Sequence, residues 1–560
     1  MWIHPNTIVK LYRDVPLDNS YEDTIYFDSL SAQTTYFHST LSPRYTFDKV
    51  SYQRVRDGVM RMQVLADNIY DCNYMAFRNT SHGNKWFYAF ITGVEYINEK
   101  VSEITYELDL MQTYFFDLEL GECFVERETQ QIDIVGNNIK PEPVSLGEYV
   151  FTNYQSIDSK LISAGAGSLT SYYAVVGVTD VEEETVEGTM YDNIYSGNTL
   201  YAFNLPTEKG DLDNFLATYV QRPDAVNFIY IVPKFALSSA NIHNHKIDTT
   251  GVAGAKTTIN VAQLTGTEEF DSLTHFVPKN KKLYTYPYSF INVDNGSGQN
   301  LPLRSEFFTH NAGNNAQLRI EATLTPPVTV TLRPCAYKGT ASASGLTLAQ
   351  PLMTETLTLD SYPQCSWNTD AYKAWLSQNS IPILLDGANL VGNMVADSYQ
   401  PFHRPTKWGP SIQSQRMSRN VETAGNIIDF TTDTLKSFYT ASIQADISRG
   451  KLDNGNVNCA QQEHTFYTSW CHITTNMAQT IDDFFDKYGY TCHRLKKPNR
   501  CVREHWTYTK TIGCIVKGKA PSNYLSAIRQ IYDNGITFWR NPSEVGNYAL
   551  NNTEPVFNHN

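Results

Sequence analysis

The sequence carries little basic charge and lacks any long apolar run. Its 58 aspartates and glutamates outnumber its 44 lysines and arginines, for a formal net charge of −14. A protein that binds the phosphates of duplex DNA tightly needs a basic face, so this charge balance argues against a sequence-reading DNA-binding protein. It does not argue against a protein along which DNA slides without being bound. No apolar stretch reaches the roughly 18 residues of a membrane-spanning helix, and the N-terminus lacks a signal-peptide core. We therefore expect no permanent membrane anchor.

Signatures of catalysis and of metal binding are also missing. No P-loop, H-E-x-x-H, G-x-S-x-G or G-x-G-x-x-G motif occurs. The nine cysteines are scattered without a C-x-x-C pair, which is typical of reduced thiols in a protein assembled in a cytosol. We therefore expect a protein that is not an enzyme, with no cofactor and no metal site.

Short aromatic and β-branched segments bounded by turn residues dominate the chain. Aromatic residues make up 13% of it, which favours pleated sheets over long helices. Residues 85–97 and 102–116 predict an antiparallel hairpin, and residues 294–298 (DNGSG) predict a second tight turn. An apolar stripe predicts a C-terminal helix that Gly489 caps, with an inward face formed by Met477, Ile481, Phe484, Phe485 and Tyr488. Ser522 is placed to cap a second helix. The predicted fold class is mainly β or α+β, with two C-terminal helices and a long inserted loop.

Shifts in composition divide the chain into five predicted segments. Residues 172–237 have a βαβ-like pattern within the second of them. The segments are an N-terminal β domain at 1–136, an α+β middle domain at 137–280, a β domain at 281–364, a long loop or helical insertion at 365–463, and a C-terminal α+β segment at 464–560.

One strand of the predicted hairpin carries carboxylates along one side. Apolar residues alternate there with Glu103, Thr105, Glu107 and Asp109, so an extended chain would place the two sets on opposite faces. A simple interpretation is the solvent-exposed face of a half-buried strand. The unusual feature is that the surrounding residues, 95–148, contain few bases to balance many acids.

The C-terminal segment has the opposite charge, because bases from Lys487 to Lys519 face Glu504 alone. A solvated face or ion pairs with a neighbouring subunit would explain it. Contact with an acidic tail protein or wall polymer is an alternative. Nucleic-acid binding is another, since aromatic residues interleave with the bases.

Several motifs resemble those of one known family. They are NKWFYAF (84–90), ELDLMQTYFFD (107–117), FVERE (124–128), TYPYSF (285–290), LRSEFF (303–308), FFDKYGYTCHRLKKPN (484–499) and IRQIYDNGITFWR (528–540). In order and approximate spacing they resemble the tail knob, or distal tail tube, proteins of phi29-like podoviruses. Residues 150–280 match poorly, so no property is carried over there.

The resemblance implies a β-rich tail-tube subunit in the virion, at the tip of a short tail. Its partners would be its own copies in a homohexamer, an upstream tail or lower collar protein, and other tail-tip proteins. Viral double-stranded DNA would pass through the lumen, and an apolar loop would plug the tube and then transiently penetrate the host membrane. In such a tube carboxylates repel phosphates, so Glu103, Glu107 and Asp109 become candidate DNA-repelling acids of the lumen.

The family's mobile loop lies upstream of the C-terminal helix, which corresponds to about 380–450 here. Each apolar block in this segment is too short and too interrupted to span a bilayer alone. Amphipathic segments lining a wet pore and two helices packed on each other are therefore the alternatives. The candidate membrane-active residues are Ile383, Leu384, Leu385, Leu390, Val391, Met394, Val395, Ile427, Ile428, Phe430, Leu435, Phe438 and Tyr439.

The competing functional hypothesis is a receptor-binding or wall-degrading tail protein. The 36 tyrosines could stack on sugar rings, although aromatic residues more often serve core packing and subunit contacts. A wall hydrolase would require a cleft that holds acids with perturbed pKa values.

Overall fold

The computed structural model describes residues 6–50, 58–80, 83–179, 190–191, 194–195, 198–205, 207–219, 225–248, 255–263, 266–308, 315–338, 351–367, 448–451 and 458–557. The chain forms two compact units. Unit 1 comprises Met1–Glu148, Gly266–Leu283 and Thr474–Asn560, and unit 2 comprises Tyr149–Thr265 and Tyr284–Ile473. The boundaries of the five segments inferred from composition stay a prediction.

Strands are the main regular secondary structure of both units, and their bounds follow in chain order. The first nine are β1 (Thr7–Arg13), β2 (Asp23–Ile25), β3 (Tyr45–Val50), β4 (Val59–Met62), β5 (Cys72–Asn79), β6 (Trp86–Asn98), β7 (Val101–Leu108), β8 (Leu118–Leu120) and β9 (Cys123–Glu128). Those of unit 2 are β10 (Tyr149–Ser156), β11 (Tyr172–Val178), β12 (Met190–Tyr191), β13 (Ile194–Tyr195), β14 (Thr199–Asn204), β15 (Val226–Pro233), β16 (Ile242–His243), β17 (Lys246–Ile247), β18 (Lys256–Gln263), β19 (Ser289–Asp294), β20 (Asn300–Leu303), β21 (Asn315–Ala322), β22 (Val330–Cys335), β23 (Leu357–Leu359), β24 (Gln364–Trp367), β25 (Ser448–Lys451) and β26 (Tyr467–Ile473). The last are β27 (Tyr490–Lys496), β28 (Trp506–Ile512), β29 (Val516–Gly518) and β30 (Ile536–Trp539).

Helices are fewer and mostly short. The α-helices of the described residues are α1 (Leu30–Thr35), α2 (Leu110–Tyr114), α3 (Asp158–Ser163), α4 (Lys209–Thr218), α5 (Thr475–Tyr488) and α6 (Ser522–Asn534). The two C-terminal helices and the predominance of strands confirm the predicted fold class.

Unit 1 is built on two larger sheets. An antiparallel sheet has the strand order β3-β1-β5-β6-β7-β4, and a second sheet has the order β2-β30-β28-β9-β27, with β2 and β30 parallel. Alternating side chains of the first sheet cover both of its faces. Met75 and Ile104 belong to the core on one face, whereas Tyr74 and Phe90 pack with Phe37 on the other.

Unit 2 contains three larger sheets, ordered β10-β26-β19-β20, β16-β17-β14-β11-β15-β24-β25 and β18-β21-β22-β23. Every residue of β11 is buried. Strand β11 pairs antiparallel with β14 on one side and with β15 on the other, so the two strands predicted at 172–180 and 225–237 are antiparallel neighbours. Helix α4 connects β14 to β15, which therefore run parallel to each other with β11 between them. The βαβ-like pattern of 172–237 thus corresponds to a split βαβ unit, with β14 rather than β11 as its first strand.

Several local predictions are confirmed at their chain positions. Strands β6 and β7 pair antiparallel across a turn at residues 99–100, and β19 pairs with β20 across residues 295–299. Helix α5 ends at Tyr488 and is capped by Gly489, whose φ is 65°. Ser522, however, is the first residue of α6 rather than its cap, because the N-cap position belongs to Pro521.

Candidate functional site

The acidic face of β7 exists as the alternation predicts, over most of the strand. Ser102, Ile104 and Tyr106 are buried, whereas Thr105 and Glu107 are exposed. Across the sheet, Glu95 of β6 lies opposite Glu103 of β7. This end of the hairpin therefore presents carboxylates on one face.

These carboxylates have polar partners that the hairpin sequence does not reveal. Arg61 of β4 places its Nε 2.8 Å from Glu103 Oε2, because β4 pairs with β7 at the edge of the sheet. Asn19 donates from its amide nitrogen to Glu107 Oε2 at 3.0 Å. The Arg61 side chain is 70% exposed, so this ion pair is worth little in water and only partly offsets the negative charge.

Asp109 does not share this face, which corrects one of the predicted acids. Strand β7 ends at Leu108, and Asp109 becomes the N-cap of α2, accepting from Gln112 N at 3.0 Å and from the Tyr74 hydroxyl at 2.8 Å. Only 1% of its surface is exposed. Burial raises the pKa of Asp109 to about 6, despite these hydrogen bonds. The period of two breaks where the strand gives way to a helix.

Unit 1 also contains a row of carboxylates, absent from the predictions, that binds residues 279–282. Asp482 of α5 accepts from the main-chain nitrogens of Lys279 and Asn280 at 3.0 and 2.9 Å. Asp133 accepts from Lys281 N at 2.8 Å and from the Tyr490 hydroxyl at 2.5 Å. Side-chain carboxylates thus satisfy three consecutive main-chain N–H groups of this segment.

The third carboxylate of the row, Glu142, lies in a buried cluster of charges. Lys282 Nζ is 2.5 Å from Glu142 Oε1, and the two side chains are 1% and 0% exposed. Arg127 and Thr491 also donate to Glu142. Burial alone would raise the pKa of Glu142, but attraction to Lys282, these hydrogen bonds and Arg127 outweigh it, so the pKa is lowered.

A cavity of about 530 Å³ lies beside this row and is lined by Asp133, Asp486, Tyr490 and Arg503, among others. Burial raises the pKa of Asp486 to about 6. Its ion pair is with Lys279, at 3.7 Å. The predicted apolar stripe of α5 did not include this buried acid. The stripe placed Phe484 on the buried side of the helix, whereas Phe484 is 38% exposed and Asp486 is buried.

The basic C-terminal segment is partly neutralised within the same chain. Lys496 of β27 pairs with the buried Glu128 at 2.7 Å, and Lys510 of β28 pairs with Glu126 at 3.0 Å. Both acids belong to β9, which lies between those two strands. The acid-rich and base-rich parts of the sequence therefore meet in one sheet, an arrangement that none of the sequence-based alternatives included.

The predicted membrane-active residues, from Ile383 to Tyr439, lie outside the described residues. The strands that flank their segment are described: β24 and β25 pair antiparallel, with Trp367 opposite Ser448. Across the described part of the chain, no helix is both long and apolar enough to cross a membrane. No group of metal-ligand side chains occurs in that part either.

Two family models match the chain. The model of the Bacillus phage phi29 tail knob protein gp9 C-terminal domain matches residues 254–553, and that of the caudoviral major tail protein N-terminus matches residues 5–119. Together they cover segments of both units.

Individual relatives agree over nearly full length. The chain is 24% identical to the tail knob protein gp9 of Bacillus phage B103 and 25% identical to that of Bacillus phage PZA, with 98% of each chain covered. The structure of the bacteriophage C1 tail knob protein gp12 superposes with a TM-score of 0.65 over 98% of this chain and 99% of that one, at 14% identity. At this identity the structural match supports the fold alone.

Proposed function

The chain belongs to the family of the tail knob protein gp9 of Bacillus phage phi29, and from this premise we propose that it closes into a homohexameric ring that conducts genomic DNA. It is a structural component of a phage tail, is located in the virion tail and assembles there with other tail proteins. The observation that carries the proposal is the alignment with tail knob proteins over 98% of both chains.

The ring is tested with the purified full-length chain. Negative-stain images and the mass from light scattering should give one closed ring of uniform subunit number. The same measurement is repeated with the purified upstream tail protein, which could act as a template for assembly. A monodisperse monomer under both conditions would contradict the proposed ring.

The acidic hairpin face supports a role in letting DNA pass. Glu103 and Glu107, the members of the predicted acid set that lie outside the core, would repel phosphates if they line the lumen, so the duplex would slide without being gripped. Glu103→Lys/Glu107→Lys particles should release DNA more slowly at low salt and recover at high salt. The matched control is Glu504→Lys, an exposed acid elsewhere in unit 1. Ring density with β7 on the outer wall would refute this role.

The segment between β24 and β25 is the proposed plug and membrane-penetrating loop. The segment begins and ends at two strands that pair with each other. This pairing supports an insertion whose two ends are joined to unit 2 at the same place. The full-length chain should release dye from liposomes, and Leu384→Asp/Leu385→Asp/Phe430→Asp should abolish the release because unpaired carboxylates are costly in hydrocarbon. Equal release by both proteins would contradict the proposal.

Wall degradation remains the second candidate function because unit 1 holds a cavity with an acid of raised pKa. A carboxyl group titrating near pH 6 suits a general acid, and Asp486 has that property. The test incubates the protein with purified cell walls and measures released reducing ends. Activity that Asp486→Asn removes would support a hydrolase, whereas an inactive wild-type protein would refute it.

A further inference from the structure

One face of the first sheet of unit 1 ends in two cations beside a tryptophan. Arg78 of β5 lies opposite Trp86 of β6 and Ile8 of β1. Lys10 lies opposite Ala76, two residues before Arg78 on β5, so both cations and the tryptophan share one face. The Arg78 Cζ atom is 4.7 Å and the Lys10 Nζ atom 5.7 Å from the centre of the Trp86 ring. Two positive charges therefore converge on one aromatic ring.

A histidine from the segment after α1 completes this group. His38 belongs to the single π-helical turn Tyr36–Thr40, and its ring centre lies 3.9 Å from that of Trp86, at an interplanar angle of 32°. The Tyr12 hydroxyl lies 3.0 Å from His38 Nδ1. When this hydroxyl donates, the ring proton lies on Nε2. We call the four side chains the cation cluster: Lys10, Arg78, His38 and Trp86.

No carboxylate of the described residues forms an ion pair with the cation cluster. Thr46 of the neighbouring strand β3 lies opposite Lys10, and Asp48, the acid of that strand, is exposed and pairs with neither cation. Burial and repulsion from Arg78 lower the pKa of Lys10. Burial and the two cations lower the pKa of His38 to about 4. At neutral pH the cluster thus holds two positive charges beside a neutral histidine.

Two nitrogens of the cluster also lack hydrogen-bond partners. Arg78 Nε and His38 Nε2 are buried and bond to no atom of the described residues. Buried polar atoms are normally paired, and one without a partner costs free energy that a bound ion can recover. The side chains as a whole are half-buried rather than enclosed, so the cluster can be reached from solvent. Charge and hydrogen bonding therefore both favour an anionic ligand.

We propose that the cation cluster binds a doubly charged phosphate group. Its two cations match the charge of a phosphate dianion, whereas a carboxylate would leave one of them unbalanced. Arg78 offers a fork of N–H donors that phosphate oxygens can accept in pairs, and Lys10 adds a point charge. Trp86 holds the guanidinium and the imidazole in place before the ligand arrives, which lowers the cost of ordering them. The site depends on unit 1 alone and not on the proposed ring.

Titration of the full-length chain with inorganic phosphate tests the site. It is done at pH 8, where phosphate is a dianion, and at constant ionic strength, with binding heat and tryptophan fluorescence as the signals. The wild type should bind saturably, and Lys10→Gln/Arg78→Gln should bind at least about tenfold more weakly. The matched control is Lys100→Gln, which removes an exposed base from the same sheet and should bind as the wild type does.

Trp86→Phe locates the bound ion. This variant should keep the binding heat and lose the fluorescence change, because Trp86 is the tryptophan that the two cations contact. A fluorescence change that persists would place the ion elsewhere and overturn the site. Melting temperatures without phosphate show whether each variant folds. If the double variant does not, Lys10→Gln alone replaces it and should still bind several-fold more weakly.

Methyl phosphate and dimethyl phosphate define the source and the charge of the ligand. Methyl phosphate is a dianion, so binding as tight as that of inorganic phosphate identifies a phosphorylated molecule as a source, and much weaker binding identifies the free ion. Dimethyl phosphate carries one charge and should bind at least about tenfold more weakly; equal affinity would overturn the assignment to a dianion. A wild type without saturable binding, or a folded double variant that binds equally well, would overturn the site itself.

Discussion

Replacing Asp486 by asparagine should stabilise the protein at neutral pH, although most substitutions at buried positions destabilise. The Asp486 side chain is 9% exposed and has one ion-pair partner, Lys279 at 3.7 Å. Burial raises its pKa from 3.8 to about 6. The folded state therefore holds this carboxylate at a cost that the unfolded chain does not bear.

The size of the effect follows from that shift. A difference of about 2 pKa units corresponds to roughly 3 kcal/mol of unfolding free energy at pH 7. The attraction to Lys279 already contributes to the folded pKa, so it is not subtracted again, whereas placing the polar amide of asparagine in the same buried position takes back about 1 kcal/mol. The expected net gain for Asp486→Asn is about 2 kcal/mol, or very roughly 4–8 °C in melting temperature for a unit of this size.

The sign of the pH dependence is specific. Because the folded pKa is raised, Asp486 stabilises the fold most when it is protonated, and that contribution is lost as the pH rises from about 4 to about 6. The advantage of the asparagine variant should thus be large at pH 7 and nearly absent at pH 4. Thermal melts at pH 4, 5.5 and 7 measure it, with the fluorescence of the buried Trp506 and Trp539 as the signal.

The matched control is Glu504→Gln, which removes an exposed acid elsewhere in unit 1 and should change the melts little. Two outcomes would refute the reasoning. One is a loss of stability at pH 7 in the Asp486 variant. The other is a gain of equal size at pH 4 and pH 7, which would show that the effect is unrelated to the charge of the carboxylate.

Three further substitutions probe unit 1, each measured by urea unfolding. Glu142→Gln leaves two cations with no carboxylate in a buried cluster, and should cost about 3–5 kcal/mol of unfolding free energy at pH 7. Because the folded pKa of Glu142 is lowered, the difference in stability between variant and wild type should shrink as the pH falls below 4.5. Gly489→Ala would place a Cβ 2.1 Å from Glu128 O and should cost more than about 2 kcal/mol. The control Gly83→Ala, also in unit 1, with φ 67° and open space around it, should cost only the smaller backbone strain. Equal costs would refute the predicted clash. Asp109→Ala should cost about 1–3 kcal/mol by removing a helix cap, and Asp109→Asn clearly less; equal costs would show that capping is unimportant there.

Predictions that depend on neighbouring residues were accurate inside the strands and helices and less accurate at their ends, as Ser522 and Asp109 show. Alternation along β7 correctly placed Ile104 and Tyr106 inside and Glu107 outside, because the period of two is a property of any extended strand. The end of α5 at Gly489 was likewise predictable, since glycine adopts a positive φ at low cost. The alternation failed at Asp109, one residue beyond the strand, where the side chain turns to cap a helix.

Predictions about which face of an element is buried failed where a distant segment needed partners. The apolar stripe of α5 placed Phe484 inward, but the buried positions include Asp482 and Asp486. Asp482 is buried because the main chain at Lys279 and Asn280 needs acceptors there. No pattern within the helix predicts this need for acceptors, since the main-chain groups that need them lie some 200 residues earlier in the chain.

The charge pattern shows the same limit and also explains why the net charge alone is a poor guide to surfaces. Glu126 and Glu128 of β9 lie between strands that carry Lys510 and Lys496. Acids and bases that are more than 350 residues apart in the sequence therefore form ion pairs within one sheet. Strand β9 can be completed only by the last part of the chain, because both of its neighbours, β27 and β28, follow residue 489. Of the nine bases from Lys487 to Lys519, Lys496 and Lys510 are the two that form ion pairs within the described structure. Arg494 stands out among the remaining exposed bases because its strand, β27, lies at the edge of the sheet. A base-rich segment is therefore informative about partners only after its intrachain ion pairs have been subtracted, and that subtraction requires the fold.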